Sequence, residues 1–401
     1  MSEKIKKILF SLSFIVIIFI LSVSADRIIG LFINENIKSA KSYKGIIFKP
    51  NVIVRHTTTE FDYVVKINSL GIRDKEISIK KQVDKKRILS FGDSFTYGWG
   101  VDIEQSWPKV LEKFLLENGY EIEVINCGQP GVCTSAYKKS MEKAVPLLKP
   151  DIVLIGVLQL GDLAQLYQEL FRVKRKSNKS NILKNLIKAI KVSYKNTIYF
   201  YKKIIKQKKI IVENKWLVSS QNIISSFSRF EYLRYCTLDD SIKAMFESGN
   251  LNPALINFQM DFPDGCIIFN NPKHPATKFA IEKMEEDIRY MKEICEANQC
   301  QLIFINIPMS NFVGHNVIRN SNLDSIFGEY LYNNNNIDSV YSNIANQFNI
   351  PYFEMTDIFK KLSKTNDHCF FRYDGHPNSK GHYVLGKSIG EFLIGNKIIE
   401  H

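Results

Sequence analysis

Cysteine is scarce in this chain: seven residues in 401, an odd number, at positions 127, 133, 236, 266, 295, 300 and 369. None belongs to a C-x-x-C pair, so neither a disulfide framework nor a zinc ribbon is encoded. Cys295 and Cys300 are close enough in sequence to pair, but they flank a helix-to-strand junction, which favours two small buried thiols. Histidine is equally sparse and falls at no metal-ligand spacing; neither a metal nor any other cofactor is implied. One long stretch lacks acids altogether. Between Arg172 and Val212 there are fourteen lysines and arginines and no Asp or Glu. The formal net charge of +13, from 54 basic and 41 acidic residues, therefore has a local origin. No nucleic-acid-binding motif accompanies it, so a nucleic-acid partner is not expected. Internal repeats are also missing; Asn333 to Asn336 is a polar loop.

Long uncharged runs are rare, with one exception. Lys4, Lys6 and Lys7 precede "ILFSLSFIVIIFILSVSA", Ile8 to Ala25. Eighteen helical residues span about 27 Å, just enough to cross a hydrocarbon core. The basic flank is expected to stay in the cytoplasm and the remainder to face outward. Val23-Ser24-Ala25 offers a small-residue cleavage site, so a removed signal peptide and a secreted product is the alternative. The run is long for a signal core, however, and "DRIIGLF" continues it without a polar break. Residues 1–35 are therefore expected to be an uncleaved membrane anchor.

After it, residues 36–85 read as an extended lead-in, and α/β alternation begins at 86. Apolar strand-like runs at 87–91, 121–127, 150–158, 300–308 and 348–355 alternate with helical periods, including 134–148 and Ser379 to Leu393. Ser106 is placed to cap a helix with Pro108 in its first turn. Strands apolar on both faces imply a parallel sheet covered on each side. The expected α/β domain comprises 86–162 and 271–401, and residues 163–270 interrupt it as a basic, mostly helical insertion. In such sheets functional groups gather at the carboxyl ends of the strands. Three ends are unusual: Gly92-Asp93-Ser94, Cys127-Gly128-Gln129-Pro130-Gly131 and Gln159-Leu160-Gly161-Asp162.

Ser94 follows a strand directly and precedes a glycine-rich turn, where a serine is either a plain helix cap or a nucleophile. A nucleophile needs a histidine base, a group that orients the base, and oxyanion donors. Asp374 and His376 supply a base and its partner, because in an extended segment residues i and i+2 point the same way. Their plainer interpretation is a turn cap and a surface histidine. Gly131 sits at a tight turn where a backbone N–H can approach an anion; any strand-to-helix turn carries such glycines.

Taken in order, "FGDSFTYG", "NCGQPG", "PDIVLIGVLQLGD" and "DGHPN" resemble the four blocks of the SGNH (GDSL-like) hydrolase family, and "NSLGIRDKE" is similar to the lead-in of exported bacterial members. The resemblance covers 65–162 and 290–395 and implies a three-layer α/β/α fold with a five-stranded, mainly parallel, flavodoxin-like sheet. It also implies metal-free hydrolysis or transfer of ester-linked acyl groups. Ser94 then matches the nucleophile, His376 the base and Asp374 its partner, with Gly131 and the Ser94 N–H as oxyanion donors. Two departures stand out. Gly161 occupies the place where the family usually carries an asparagine, whose amide is a third oxyanion donor; Gln159 has the same amide on a longer stem and is the candidate replacement. The common Asp-x-x-His spacing is Asp-x-His here.

Within the insertion, apolar residues 183, 186, 187, 190, 194, 198, 201, 204 and 205 follow a helical period, with lysines on much of the remainder. A basic amphipathic helix over 182–206 can pack as a flap on the sheet domain, lie on anionic lipid or contact an acidic polymer. Two functions are carried forward. One is a membrane-anchored esterase or acyl (acetyl) transferase acting on an acylated glycan or lipid of the cell envelope. The other is a non-catalytic relative that binds an acylated polymer or partner, favoured if Gln159 turns into the core.

Overall fold

Most of the apolar runs become strands of one sheet in the computed structural model, which describes residues 3–31, 45–174, 193–194, 197, 211–213, 215–262, 264–314, 331–365 and 368–400. In chain order the strands are β1 (Ile53–Thr57), β2 (Asp62–Lys66), β3 (Lys86–Gly92), β4 (Ile122–Gly128), β5 (Ile152–Leu158), β6 (Ile211–Glu213), β7 (Gln301–Ile307) and β8 (Tyr352–Glu354). Five of them form a sheet in the order β4-β3-β5-β7-β8, every pair parallel. Counted within that sheet the order is 2-1-3-4-5, the flavodoxin-like winding whose direction reverses between β3 and β5.

Alternation along the strands builds a core on each face. Leu89, Phe91, Val153 and Ile155 point to one side, where they meet Met141, Met284, Ile288 and Tyr341 of three helices. Ile88, Leu154, Ile303 and Ile305 point to the other, against Trp107 and Leu111 of the helix Trp107–Glu117 and Leu385 and Ile389 of the helix Ser379–Gly395. All seven residues of β5 are buried, and each large aliphatic side chain so placed is worth about 1.5–3 kcal/mol. Three layers result. Ser106 stands at the N-cap of Trp107–Glu117, but its hydroxyl donates to Ile103 O at 2.6 Å rather than capping.

The chain divides into two compact units, Met1–Lys44 with Arg175–Ile210, and Gly45–Lys174 with Ile211–His401. In the first, residues Glu3–Leu31 form one helix of 29 residues with Phe10, Phe14 and Ile17 to Leu21 exposed. Among the described residues no helix is long and apolar enough to cross a membrane; the side chains at 8, 9, 12 and 15 of this helix lie outside that description. The expected basic helix over 182–206 also lies outside the described residues, apart from Ser193, Tyr194 and Thr197.

Within the second unit, the lead-in is an antiparallel hairpin of β1 and β2, and β6 adds to β1 in parallel. No strand was expected in the insertion, since a three-residue strand is too short for periodicity to reveal. The helix Gln159–Lys174 runs straight across the expected boundary at 162. Short helices between 215 and 269 follow, with a small core of their own that includes Tyr235, Ile242, Phe246 and Ile256.

Candidate functional site

The last residue of β3 is Gly92 because nothing larger fits there beside β5: a Cβ would lie 2.7 Å from Gly156 O and 2.0 Å from Thr96 Oγ1. Asp93 then terminates the strand. Its Oδ1 accepts the Phe95 N–H at 2.9 Å and so caps the one-turn helix Ser94–Tyr97. Ser94 is thereby presented at the carboxyl edge of the sheet, at the point where the winding reverses.

The turn after Ser94 is held from outside the α/β alternation. Arg73 Nη1 donates to Tyr97 O and Gly98 O, each at 2.7 Å, and its Nη2 donates to Val101 O at 2.6 Å. The guanidinium also lies 4.5 Å over the Tyr97 ring. Charge-assisted bonds of this kind are stronger than neutral ones, and here they compensate a fully buried cation. Asp74 accepts the Asn126 N–H at 2.9 Å, while the Asn126 amide donates to Thr96 O at 2.9 Å. The "GIRD" lead-in is thus a clamp on the serine turn and on β4.

On the far side of Ser94 stands the loop before the last helix. His376 Nε2 lies 2.7 Å from Ser94 Oγ, and His376 Nδ1 is hydrogen-bonded to Asp374 Oδ1. Asp374 Oδ1 accepts the His376 backbone N–H as well, at 3.2 Å. The segment is not extended, as the sequence had suggested. Gly375, at φ +83°, folds it into a tight turn that brings the carboxylate under the imidazole despite the short Asp-x-His spacing.

Asp374 is buried, and its second oxygen accepts from Asn252 Nδ2 at 3.1 Å. The same amide donates to Asp374 O at 3.2 Å, and the Asn252 N–H donates to Tyr373 O at 3.1 Å. Glu60, in the turn between β1 and β2, accepts the Arg372 and Tyr373 N–H groups at 2.7 and 2.8 Å. Sequence reasoning missed Asn252, Glu60 and Arg73. Asn252 precedes Pro253 and also caps the helix Pro253–Asp261, so its only sequence signal was that of an ordinary cap.

Electrostatics fit the geometry. Burial opposes the charged form of His376, but the Asp374 carboxylate and its hydrogen bond outweigh burial and raise the pKa above its ordinary value. The contact fixes Nδ1–H toward Asp374 and leaves the Nε2 lone pair for the Ser94 hydroxyl. Burial pushes Asp93 up to about 6; above that pH its charge adds to the pull on His376.

Gly131 has φ +70° and no atom within 4 Å of the position its Cβ would take, so it is open to the cavity that Ser94 also lines. Among the described residues, neither the Gly131 N–H nor the Ser94 N–H has an acceptor. Gln159 does not join them. It is fully buried, its Nε2 donating to Thr356 Oγ1 at 3.0 Å and to Asp338 Oδ1 at 2.7 Å, its Oε1 accepting the Met309 N–H at 3.2 Å. The reason is helical phase. Gln159 and Gly161 belong to one helix, and at 3.6 residues per turn two positions are about 200° apart, on opposite faces. A glutamine at 159 cannot stand in for a side chain at 161. Among the described residues no group of three or more His, Cys, Asp or Glu is placed to hold a metal ion.

Ser94, Asp374 and His376 share the wall of one cavity of roughly 500 Å³ with Trp99, Gly131 and Phe258. A 79-residue stretch is 35% identical to an arylesterase of Vibrio mimicus, covering 20% of this chain and 39% of that protein. The chain therefore spans about two fifths of the length of the curated relative it matches. Solved structures with similar coordinates include the psychrotrophic esterase EstA from Pseudoalteromonas sp., at 11% identity over 78% of this chain and 100% of that one, with a TM-score of 0.37. Another is a catalytic mutant of the acetylxylan esterase Axe2 from Geobacillus stearothermophilus, at 13% identity over 77% and 93%, with a TM-score of 0.36. The model of the GDSL-like Lipase/Acylhydrolase family matches residues 88–389, from β3 into the last helix and so across all three segments that meet at Ser94, and the chain belongs to that family.

Proposed function

We propose that the protein hydrolyses or transfers a short ester-linked acyl group on a glycan of the cell envelope. The observation that carries this is the unbroken relay from Ser94 Oγ through His376 to buried Asp374. Ser94 Oγ attacks the ester carbonyl while His376 Nε2 takes its proton. Negative charge on the carbonyl oxygen is met by the Ser94 and Gly131 N–H groups. Collapse of the tetrahedral species breaks the ester C–O bond, and the imidazolium returns its proton to the departing alcohol. Water or a second sugar hydroxyl then attacks the acyl-serine, again losing its proton to His376, and Ser94 is restored.

Support for a glycan comes from the cavity wall. Gln165, Gln168, Asn257, Gln259 and Asn311 place carboxamides beside Trp99, and among the described residues no lysine or arginine lines it. Such a wall suits a neutral polyhydroxylated alcohol moiety and offers no counter-charge to an anionic one. Acetyl release from acetylated xylan and mannan should exceed hydrolysis of matched dodecanoyl esters by the full-length protein in detergent. Equal or faster turnover of the long-chain esters would sink the glycan reading.

One observation favours the non-catalytic alternative, namely that Gln159 is turned into the core. The relay outweighs it, since a binding cleft has no use for an imidazole lone pair aimed at a serine hydroxyl. For location, the uncharged run 8–25 behind Lys4, Lys6 and Lys7 supports an anchor with the α/β unit outside the cytoplasm. Alkaline carbonate should leave the protein in the membrane pellet; release into the supernatant would rule out a spanning anchor.

A further inference from the structure

The loop that carries Asp374 and His376 is closed at its base. Phe371 N–H donates to His376 O at 2.8 Å, and Gly375 N–H donates to Phe371 O at 3.1 Å. The N–H groups of Arg372 and Tyr373 donate across to Glu60, one to each carboxylate oxygen, at 2.7 and 2.8 Å. The Asp374 N–H bonds the same carboxylate. Successive backbone N–H groups gathered on one anion in this way fix both the place and the direction of the segment. Asn252 takes carbonyls of the same segment, Tyr373 O and Asp374 O, while Glu60 takes its N–H groups.

Glu60 is itself held. Its N–H and that of Phe61 donate to Thr58 Oγ1, each at 3.2 Å, and Thr58 N–H donates to Phe61 O at 2.8 Å. These bonds close the turn between β1 and β2. The Phe61 ring lies 5.2 Å from the Phe371 ring at the base of the loop and 5.7 Å from the Trp216 ring. Turn and loop are thus docked by aromatic contact as well as by hydrogen bonds. Charge does not account for the arrangement, because the Asp374 carboxylate repels that of Glu60. What Glu60 supplies is acceptors for the backbone, and so position.

We infer that Glu60 is a positioning residue of the relay: it fixes the backbone from which Asp374 reaches His376 Nδ1. This rests on the acyl-transfer reading of Ser94. Glu60 lies outside residues 88–389, so a residue of the lead-in completes the relay of the family-matched segment. A plain tether would behave differently, since its loss would lower stability and leave turnover by the folded protein unchanged.

The test uses the full-length protein, 4-nitrophenyl acetate and a double-mutant cycle with Asp374→Asn. Glu60→Ala should lower kcat by roughly 10- to 100-fold, the cost of a relay misplaced by about an ångström, with KM little changed. Glu60→Gln should lose at least about threefold yet stay above Glu60→Ala, because its one amide oxygen still accepts while its NH₂ faces a backbone donor. With Asp374→Asn there is no carboxylate left to position, so adding Glu60→Ala should cost at most about twofold in kcat. Thermal unfolding of each variant separates folding from turnover. If Glu60→Ala does not fold, Glu60→Gln carries the same cycle by the same criteria. Overturning results are a kcat within about twofold of the parent, a loss that falls on KM alone, or the same fold-loss with and without the Asp374 carboxylate. A parent that neither turns over the ester nor is labelled on Ser94 by a fluorophosphonate overturns the acyl-transfer reading itself, and this inference with it.

Discussion

Ser94→Ala will lose on the order of 10⁶ in kcat, the scale seen when a serine nucleophile is deleted from an intact relay, while the protein stays folded. Ser94 is only partly buried, its hydroxyl bonds His376 and, at 3.4 Å, Asp93, and the cap of its helix comes from Asp93 rather than from Ser94. The loss is therefore chemical and not structural. The measurement is twofold. A fluorophosphonate should label the parent on Ser94, as mapped by mass spectrometry, and should label neither Ser94→Ala nor His376→Ala. Thermal unfolding of the alanine variant should match the parent within a few degrees. Ester hydrolysis that survives in Ser94→Ala would place the chemistry elsewhere in the cavity.

Asp374→Asn should cost about 10⁴ in kcat, because the asparagine amide no longer selects the productive imidazole tautomer. With a carboxylate at 374, Nδ1 must carry the proton and Nε2 is a base. With an amide there, Nδ1 can instead accept from the amide N–H, and the proton moves to Nε2, facing a serine it can no longer deprotonate. The pH profile supplies an independent check. In the parent, Asp374 outweighs burial and holds His376 above its ordinary pKa. Activity should therefore fall on the acid side as pH drops through that raised value. Removing the carboxylate leaves burial to dominate, so the residual activity of Asp374→Asn should persist to lower pH. The stability linkage has the opposite sense. A raised histidine pKa stabilises the fold fully below the unfolded value and loses that contribution as pH rises through the folded one; Asp374→Asn should abolish this slope. Asn252→Ala should act in the same direction but only by about tenfold, since it removes one hydrogen bond to a buried carboxylate that keeps its other contacts. An Asp374→Asn variant with parental kcat and an unmoved acid limb would remove Asp374 from the mechanism.

The central residues were legible because strand ends are legible. Apolar runs broken by Gly-Asp-Ser and Gly-Gln-Pro-Gly mark the carboxyl edge of a parallel sheet. Asp374 and His376 are close enough in sequence that one tight turn joins them. Asn252 and Glu60 were hidden for the opposite reason. Each reaches the Asp374 loop from more than a hundred residues away, and an asparagine before proline or a glutamate in a hairpin turn carries no local mark of such a partner. Arg73 stood within a motif whose role only its three carbonyl contacts disclose. Gln159 was misassigned because adjacency along the chain was taken for adjacency in space; the helix that begins there sends it to the face opposite Gly161.

By itself, then, the sequence determined the doubly wound α/β class, the sheet edge at which function gathers, and the Ser94, Asp374 and His376 constellation, since each depends on periodicity or on contacts within a few residues. The tertiary structure alone decided which amides face the cavity and which the core, that the lead-in clamps the serine turn, and that a residue of the insertion holds the carboxylate. Those outcomes depend on helical phase and on contacts between distant segments, and neither leaves a local trace in the order of residues.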